Sequence, residues 1–392
     1  MEQPSSSPSS PAKYAYGIRL LDCVEELVLS TLSSSLDGTL GADLGLSSDY
    51  CARLLQDADP LNVSDAFRGV PAYPLYKRLA LALERCVRHG SFLRTSEPIK
   101  EIPEVDLKEE CDWNDLIISS ELASLYSSVE FEIHVQEPFF SQLRAGVKTV
   151  EGRCALGNYN QITPGALLLV NKHFLLRVEH VKHYSSFLEM LEAETLESVL
   201  PGVKTIEEGV KIYRKFYSEE KENSNGVLAI SVSRAASQPC ISMSALLSGL
   251  SYEGINCLLG MAHTVGTIPD ALPPPRSALL SSFILSRGPD VKGSSLTEGA
   301  RALTKHVCRS SSGWWGNLTG NDTDKNQFSL SVIDRLLNGC SWMNTHATQS
   351  LEHVFEIRVE EGYGARWSRD GSKFIGFLEP YMEEGHGRRW RH

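Results

Sequence analysis

The stretch Gly146-Val147-Lys148-Thr149-Val150-Glu151-Gly152-Arg153 follows a Gln136-Glu137-Pro138-Phe139-Phe140 run, and the two together decide how the middle of this 392-residue chain is organised. Upstream, Val129, Phe131, Ile133 and Val135 alternate with Glu130, Glu132, His134 and Gln136, which describes a strand with one dry and one wet face. Pro138 suits the first turn of a helix over 139–145, and Gly146 can end that helix in the left-handed conformation. The octet then leads from helix into strand. It packs a turn glycine, a cation, a carboxylate and a second cation into one short segment. An arginine there can fork two donors onto a phosphate or a base edge, while a lysine supplies a point charge or, if desolvated, a base. The blander reading makes Lys148 and Arg153 exposed strand-edge cations, with Glu151 paired to one of them.

Downstream, Pro164-Gly165 makes a turn before a strand over 166–170, and a further strand spans 174–181. A charged helical stretch over 206–217 precedes a closing strand, Gly226-Val227-Leu228-Ala229-Ile230-Ser231-Val232. By residue type and order, the octet and its lead-in resemble the signature of the ASCH domain (activating-signal-cointegrator homology), a PUA-like β-barrel, over 129–235. That resemblance implies binding of RNA or another nucleic acid at a cleft faced by the octet, in coactivator or RNA-metabolism contexts. Lys148 and Arg153 would then contact phosphate or base, and Glu151 would orient them or accept from a base amine. Tyr159, between Asn158 and Asn160, either stacks on an unpaired base or is a structural ring. Lys172, with Arg177 and Lys182, would extend a phosphate track, unless these are ordinary surface cations. Some small ASCH proteins hydrolyse the amide of N4-acetylcytidine with a lysine, a threonine three residues later and a glutamate. Lys148 matches the lysine, but Glu151 stands at the threonine position and Thr149 is displaced. The nucleophilic hydroxyl is therefore missing where such chemistry needs it. Glu207 and Glu208 offer a carboxylate, but better suit a solvated helix face.

Around this centre the chain divides further. Residues 1–13 are rich in Ser and Pro and read as a disordered tail. Over 14–95, Leu20, Leu21, Val24, Leu27, Val28 and Leu32 recur at three and four, and 75–87 repeats the pattern, so a helical unit is expected. An acidic linker and a short helix occupy 96–128, and an uneven connecting segment occupies 236–275.

The last part, 276–392, reads as an α+β unit of two helices (296–308 and 327–337) and a three-strand meander over 351–361, 365–367 and 374–378. It holds five of the six tryptophans, which sets them beside glycines, Asn, His and Arg. Trp314, Trp315, Asn344, His346, Glu356, Arg358, Arg366 and Trp367 form a candidate second pocket for a ring or a phosphate. The alternative is a small domain that spends its tryptophans on its core. Glu356 and Arg358 share a strand face and Arg366 can join them across a hairpin, whereas His353 falls on the opposite face from Glu356. His386 and His392 belong to a basic tail rather than to a zinc site.

Composition bounds the function classes. The net charge of -11 sits at the front, where 1–128 carries 20 acidic against 11 basic side chains; from 276 onward the balance is 13 against 15. The later parts are thus not strongly repelled from phosphate. Nine cysteines without a Cys-x-x-Cys pair suggest reduced thiols, neither a zinc site nor a disulfide framework, and no metal or cofactor is expected. No apolar run is long enough for a membrane span or a signal core, so a cytosolic or nuclear protein is expected. The fold class is α+β: helical front segment, PUA-like ASCH barrel, C-terminal α+β unit. RNA or other nucleic acid is the expected partner. The alternatives are a hydrolase acting on a modified nucleoside or small anionic ligand, and a scaffold or coactivator-like protein that docks protein partners through its helical front region.

Overall fold

The computed structural model describes residues 18–59, 68–96, 102, 110–286, 295–308, 313–348 and 352–380. The Ser/Pro-rich tail, most of the acidic linker and the basic C-terminal tail lie outside the described residues. The chain forms two compact units, one of 18–30 with 120–244 and the other of 31–119 with 245–380. Five helices open the chain: α1 (Leu20–Leu36), α2 (Ser48–Leu54), α3 (Leu75–His89), α4 (Glu110–Ser119) and α5 (Leu122–Ser127). On α3 the residues Leu75, Leu79, Ala82, Leu83 and Cys86 are buried, as the three-and-four spacing requires, and Gly90 closes the helix at φ 69°. No helix among the described residues is long and apolar enough to cross a membrane.

In the first unit the elements run β1 (Phe131–Ile133), α6 (Phe139–Arg144), β2 (Val150–Cys154), a 3-10 turn over Gly157–Gln161, β3 (Leu167–Val170) and β4 (Phe174–Tyr184). The helices α7 (Phe187–Glu194), α8 (Leu196–Val199), α9 (Ile206–Arg214) and α10 (Glu219–Asn225) follow, and β5 (Val227–Arg234) closes the sheet. The five strands lie in the order β1-β3-β4-β5-β2, with β1 parallel to β3 and the other pairs antiparallel. The sheet curls into a half-barrel. Both of its faces are dry along β5: Leu228, Ile230 and Val232 join Ile133, Leu168, Leu176 and Val178 on one side. Val227 and Ala229 join Val150, Phe187, Met190 and Tyr213 beneath the helices on the other. A strand covered on both faces needs an almost unbroken apolar run, and Val227-Leu228-Ala229-Ile230 is that run.

The second unit continues through α11 (Pro239–Leu259), kinked at Ser251 where φ is 55°, to α12 (Arg276–Phe283), α13 (Glu298–Val307) and α14 (Asp322–Gly339). The helix α14 starts with a reciprocal capping box between Asn321 and Asp324, a device that stabilises by about 1 kcal/mol. Four antiparallel strands then meander in sequence order: β6 (Trp342–Ala347), β7 (His353–Arg358), β8 (Gly364–Ser368) and β9 (Phe374–Leu378). One more strand is present than the alternation predicts. Met343, Phe355, Ile357, Ala365, Trp367 and Phe377 pack against Phe283, Leu303, Val332 and Leu336 in one core. The outer edge of β6 is covered, since Ala262 and Ile268 donate backbone N–H groups to Met343 and Thr345, and Ala347 donates to Gly266. Arg276, mostly buried, donates twice to the Val70 carbonyl and once to Asn338 Oδ1 (2.6 Å), which ties the early chain to α14 inside this unit.

Candidate functional site: a half-barrel cleft and a charged sheet face

The octet enters the first unit at the end of α6. Gly146 adopts φ 71°, the left-handed value that favours glycine, and Glu137 caps α6 by accepting from Ser141 N (3.1 Å) and Oγ (2.9 Å). Lys148, Glu151, Gly152 and Arg153 then line a cleft of about 280 Å³ with His134, Gln136, Phe139, Tyr213, Phe216 and Tyr217. Glu151 stands between two cations: its Oε2 lies 3.1 Å from Lys148 Nζ and its Oε1 2.9 Å from Arg153 Nε. Burial pushes the Glu151 carboxyl up, but the Lys148 and Arg153 charges outweigh it and hold the group below its ordinary value. Burial pulls the Lys148 ammonium below its ordinary value, with Glu151 opposing.

Lys148 is far from a surface cation. It is 2% exposed, and its ammonium donates to the Val150 carbonyl at 2.7 Å and to the Val199 carbonyl as well as to Glu151. All three donors of the ammonium are thereby used. Arg153 is the more open cation; it donates through Nη2 to the His134 carbonyl (2.6 Å) and sets its guanidinium 6.0 Å from the Tyr159 ring centre. A side chain at Gly152 would force its neighbours to shift, since a Cβ there would lie 2.8 Å from Met190 Cε and 2.9 Å from the Tyr213 ring. Tyr213 and Tyr217 stack on Phe187 at 4.1 and 5.5 Å between ring centres, which fixes two aromatic walls.

Of the residues read from sequence, the fold brings Lys148, Glu151 and Arg153 together. Tyr159 touches Arg153 but does not line the cleft. Lys172 sits in the turn between β3 and β4 at φ 66°, with its Nζ 3.5 Å from Asp22, and also does not line the cleft. Arg177 donates to the Gly165 carbonyl and Lys182 pairs with Glu194 at 2.8 Å, so each of these cations has its own local partner. Sequence reasoning names Phe139 only as part of the lead-in run and passes over Tyr213, Phe216 and Tyr217. Their signal was the 213, 216, 217 spacing at the end of a stretch noted only for its charges.

The second unit carries the other candidate site. Antiparallel register sets Asn344 opposite Glu356 and Glu356 opposite Arg366, so the three share one sheet face. Glu356 is 3% exposed and accepts from Arg358 Nε (2.7 Å), Arg366 Nε (2.9 Å), Arg366 Nη2 (2.6 Å) and, at 3.3 Å, faces His346 Nε2. Burial pushes its carboxyl up, but the His346 hydrogen bond and the two guanidinium charges overturn that effect and hold it far below the usual range. Arg358 also donates to the carbonyls of Gly362 (2.6 Å) and Glu379 (3.0 Å), passing Gly364, where a Cβ would lie 2.9 Å from Arg358 Cγ. The Glu379 carboxylate takes Trp315 Nε1 (2.8 Å) and pairs with His306 Nδ1 (2.7 Å).

Other members of this group serve the scaffold. Asn344 is fully buried and donates to the Thr264 and Thr267 hydroxyls at 2.8 and 2.9 Å. Trp315 and Trp367 lie in the core, with Trp367 Nε1 donating to the Leu279 carbonyl. Trp314 stacks on Tyr363 at 4.2 Å, with the Arg335 guanidinium 4.3 Å from its ring centre. His353, at the start of β7, is exposed, while the rest of the strand, Glu356 included, is buried.

Comparison with known proteins divides the chain along similar lines. The family described as ASCH domain matches residues 133–235, and that described as CdiA C-terminal tRNase toxin domain matches residues 287–379. Among solved structures, the hypothetical protein PH0355 is 44% identical, with 27% of this chain and 98% of that chain covered and a TM-score of 0.26. Protein PF0455 from Pyrococcus furiosus is 42% identical, with 27% and 98% covered and a TM-score of 0.25. No curated protein matches the chain. Residues 133–235, with the curled five-stranded sheet and the octet at its cleft, are an ASCH domain, and the chain is an ASCH-domain protein with a separate CdiA tRNase toxin-like domain toward its C-terminus.

Proposed function

We propose that this protein binds RNA through the ASCH cleft, where an unstacked base enters between aromatic walls and its phosphate or polar edge meets Arg153. The observation that carries this reading is the pairing of Arg153 and Glu151 at the floor of a cleft walled by Phe139, Tyr213, Phe216 and Tyr217. Such a combination of a fixed charge pair and stacking faces is how proteins take up single-stranded bases. Recognition is favoured over hydrolysis because no serine or threonine hydroxyl lines the cleft among the described residues, and the Lys148 ammonium is committed to two carbonyls and Glu151. Lys148 acts in this reading as the buried post that orients Glu151, and Arg153 with the half-exposed Phe216 makes the contacts.

A second reading concerns the C-terminal domain, which we infer acts on RNA itself. Its support is the likeness to a tRNase toxin domain together with a sheet face that holds two guanidinium groups and a histidine around one carboxylate. With Glu356 ionised and both arginines charged, that face carries a net positive charge suited to a phosphodiester. Transfer RNA is the substrate class the likeness suggests.

Fluorescence anisotropy with a labelled single-stranded RNA tests the first reading on the full chain. Phe216→Ala should weaken binding by roughly tenfold, in line with the ~1–3 kcal/mol of a base–aromatic stack, and Arg153→Ala should weaken it and flatten its salt dependence. Unchanged affinity in both variants at low salt would remove the cleft from RNA recognition.

A further inference from the structure

The cavity at one end of the C-terminal sheet belongs to neither site described so far. It measures about 680 Å³ and is lined by Arg301 and Lys305 from α13, His353 and Val354 at the start of β7, Ser368 at the end of β8, and Lys373 in the turn before β9. Arg301 and Lys305 stand one helical turn apart, so they project from one face of α13. Lys305 and Lys373 are exposed, and neither they nor Arg301 pairs with a carboxylate among the described residues. Glu298 and Glu352 also border the cavity, so three lasting positive charges face two negative ones.

Two further observations point to a ligand. The Nε of Arg301 is buried and has no hydrogen-bond partner, a cost that an acceptor inside the cavity would relieve. The cavity also adjoins the charged face: Val354 and Ser368, in the cross-strand row next to Glu356 and Arg366, line it, while His353 and the α13 residues Arg301 and Lys305 border it from the other, helix-covered side of the sheet. Rows two residues apart on a strand are separated by about 7 Å. An extended polyanion that leaves Arg366 and His346 and turns round the end of the sheet would therefore reach Lys373, Arg301 and Lys305.

We propose that this cavity is a phosphate subsite for the backbone of an RNA strand whose neighbouring phosphate lies at the Glu356–Arg366 face. The inference rests on the reading that the C-terminal domain acts on RNA. Arg301 supplies the buried donor, since its Nε lies without a hydrogen-bond partner in a residue that lines the cavity. Lys305 and Lys373 supply mobile charge at the rim. The exposed ring of His353 provides a face on which a base next to that phosphate can stack.

The test uses the full chain, with Lys305→Gln/Lys373→Gln as the probe, because both lysines are exposed and their loss does not touch the core. Binding of a labelled single-stranded RNA is measured from 50 to 300 mM salt beside Phe216→Ala. The double variant should lose roughly tenfold in affinity at the lowest salt, and its slope of log K against log salt should shrink by about 1.4, two phosphate contacts' worth. Lys305→Arg/Lys373→Arg should restore both. Unchanged affinity and slope in the glutamine variant, while Phe216→Ala weakens binding, overturns the subsite and leaves the ASCH cleft reading intact. Loss in the glutamine variant with no change in Phe216→Ala upholds the subsite and removes the cleft. Equal loss of binding to polyglutamate would show a general anion patch and overturn the RNA assignment.

Discussion

Replacing Glu356 by Gln keeps the shape of the buried side chain and removes one charge and half of its acceptor capacity. In the wild-type protein the carboxylate takes three N–H donors from Arg358 and Arg366 at 2.6 to 2.9 Å and a longer contact from His346, while only 3% of the residue is exposed. The amide nitrogen of Gln cannot accept, so at least one guanidinium faces a donor in a site with little water. Breaking a buried ion pair from one side costs about 3–5 kcal/mol, since the surviving charge is left uncompensated. For a unit of this size each kcal/mol moves the melting temperature by roughly 2–4 °C, giving a fall of roughly 6–20 °C. Trp315, Trp342 and Trp367 are buried in the same unit, so tryptophan emission during a thermal ramp reads that transition directly. The pH dependence carries the sign of a depressed carboxyl. The folded group titrates below its unfolded value of about 4.3, so its contribution is complete above about pH 5 and is lost as pH falls through the folded value. The advantage of wild type over Glu356→Gln should thus be level from pH 7 to 5 and shrink in acid. A companion Glu356→Leu/Arg358→Met/Arg366→Leu variant should lose less than Glu356→Gln, because no charge is stranded. A Glu356→Gln melting temperature within 2 °C of wild type, or a triple variant less stable than the single, would refute this account of the cluster.

Two further outcomes concern the ASCH cleft. Gly152→Ala should destabilise the first unit by about 1–3 kcal/mol in a urea titration, because its Cβ would press on Met190 Cε at 2.8 Å and on the Tyr213 ring, and the displaced ring should also weaken RNA binding. Lys148→Met should cost about 1–3 kcal/mol in the same titration by leaving the Val150 and Val199 carbonyls without their donor, while a directly contacting cation would show its loss in the salt slope of binding instead.

How far the sequence reading reached differs from element to element. Where one sheet face is dry and the other polar, alternation places the strand and its faces, as it does for Glu356 and Arg358 on β7. The same reading passes over β6, because Trp342 shares the side of Asn344 and His346 while Thr345 stands on the apolar side with Met343, so polarity does not alternate cleanly along the strand. The helix α11 escapes for a related reason: Met243, Leu246, Leu247, Leu250, Ile255 and Leu258 are buried around most of its circumference, and the break at Ser251 shifts the phase. In the octet, the order of charges points to the cleft, but it reads Lys148 as a ligand-contacting or exposed cation, whereas the residue is buried. Its partners are the carbonyls of Val150 and Val199, and a carbonyl 51 residues away has no side-chain signature to read. The aromatic wall was missed likewise, since Phe139 and Phe216 meet only after the sheet curls.

The row of Asn344, Glu356 and Arg366 also bears on which structures the chain can fall into by mistake. Side chains on a strand alternate with a period of two, so a one-residue slip of β7 against β8 would turn Glu356 and Arg358 into the layer held by Phe355 and Trp367. There the carboxylate would meet an indole and a phenyl ring instead of two guanidinium groups, a penalty larger than the whole margin by which many domains stay folded. The charged face therefore works as a registration mark: whatever it binds, it leaves the C-terminal sheet one way to zip.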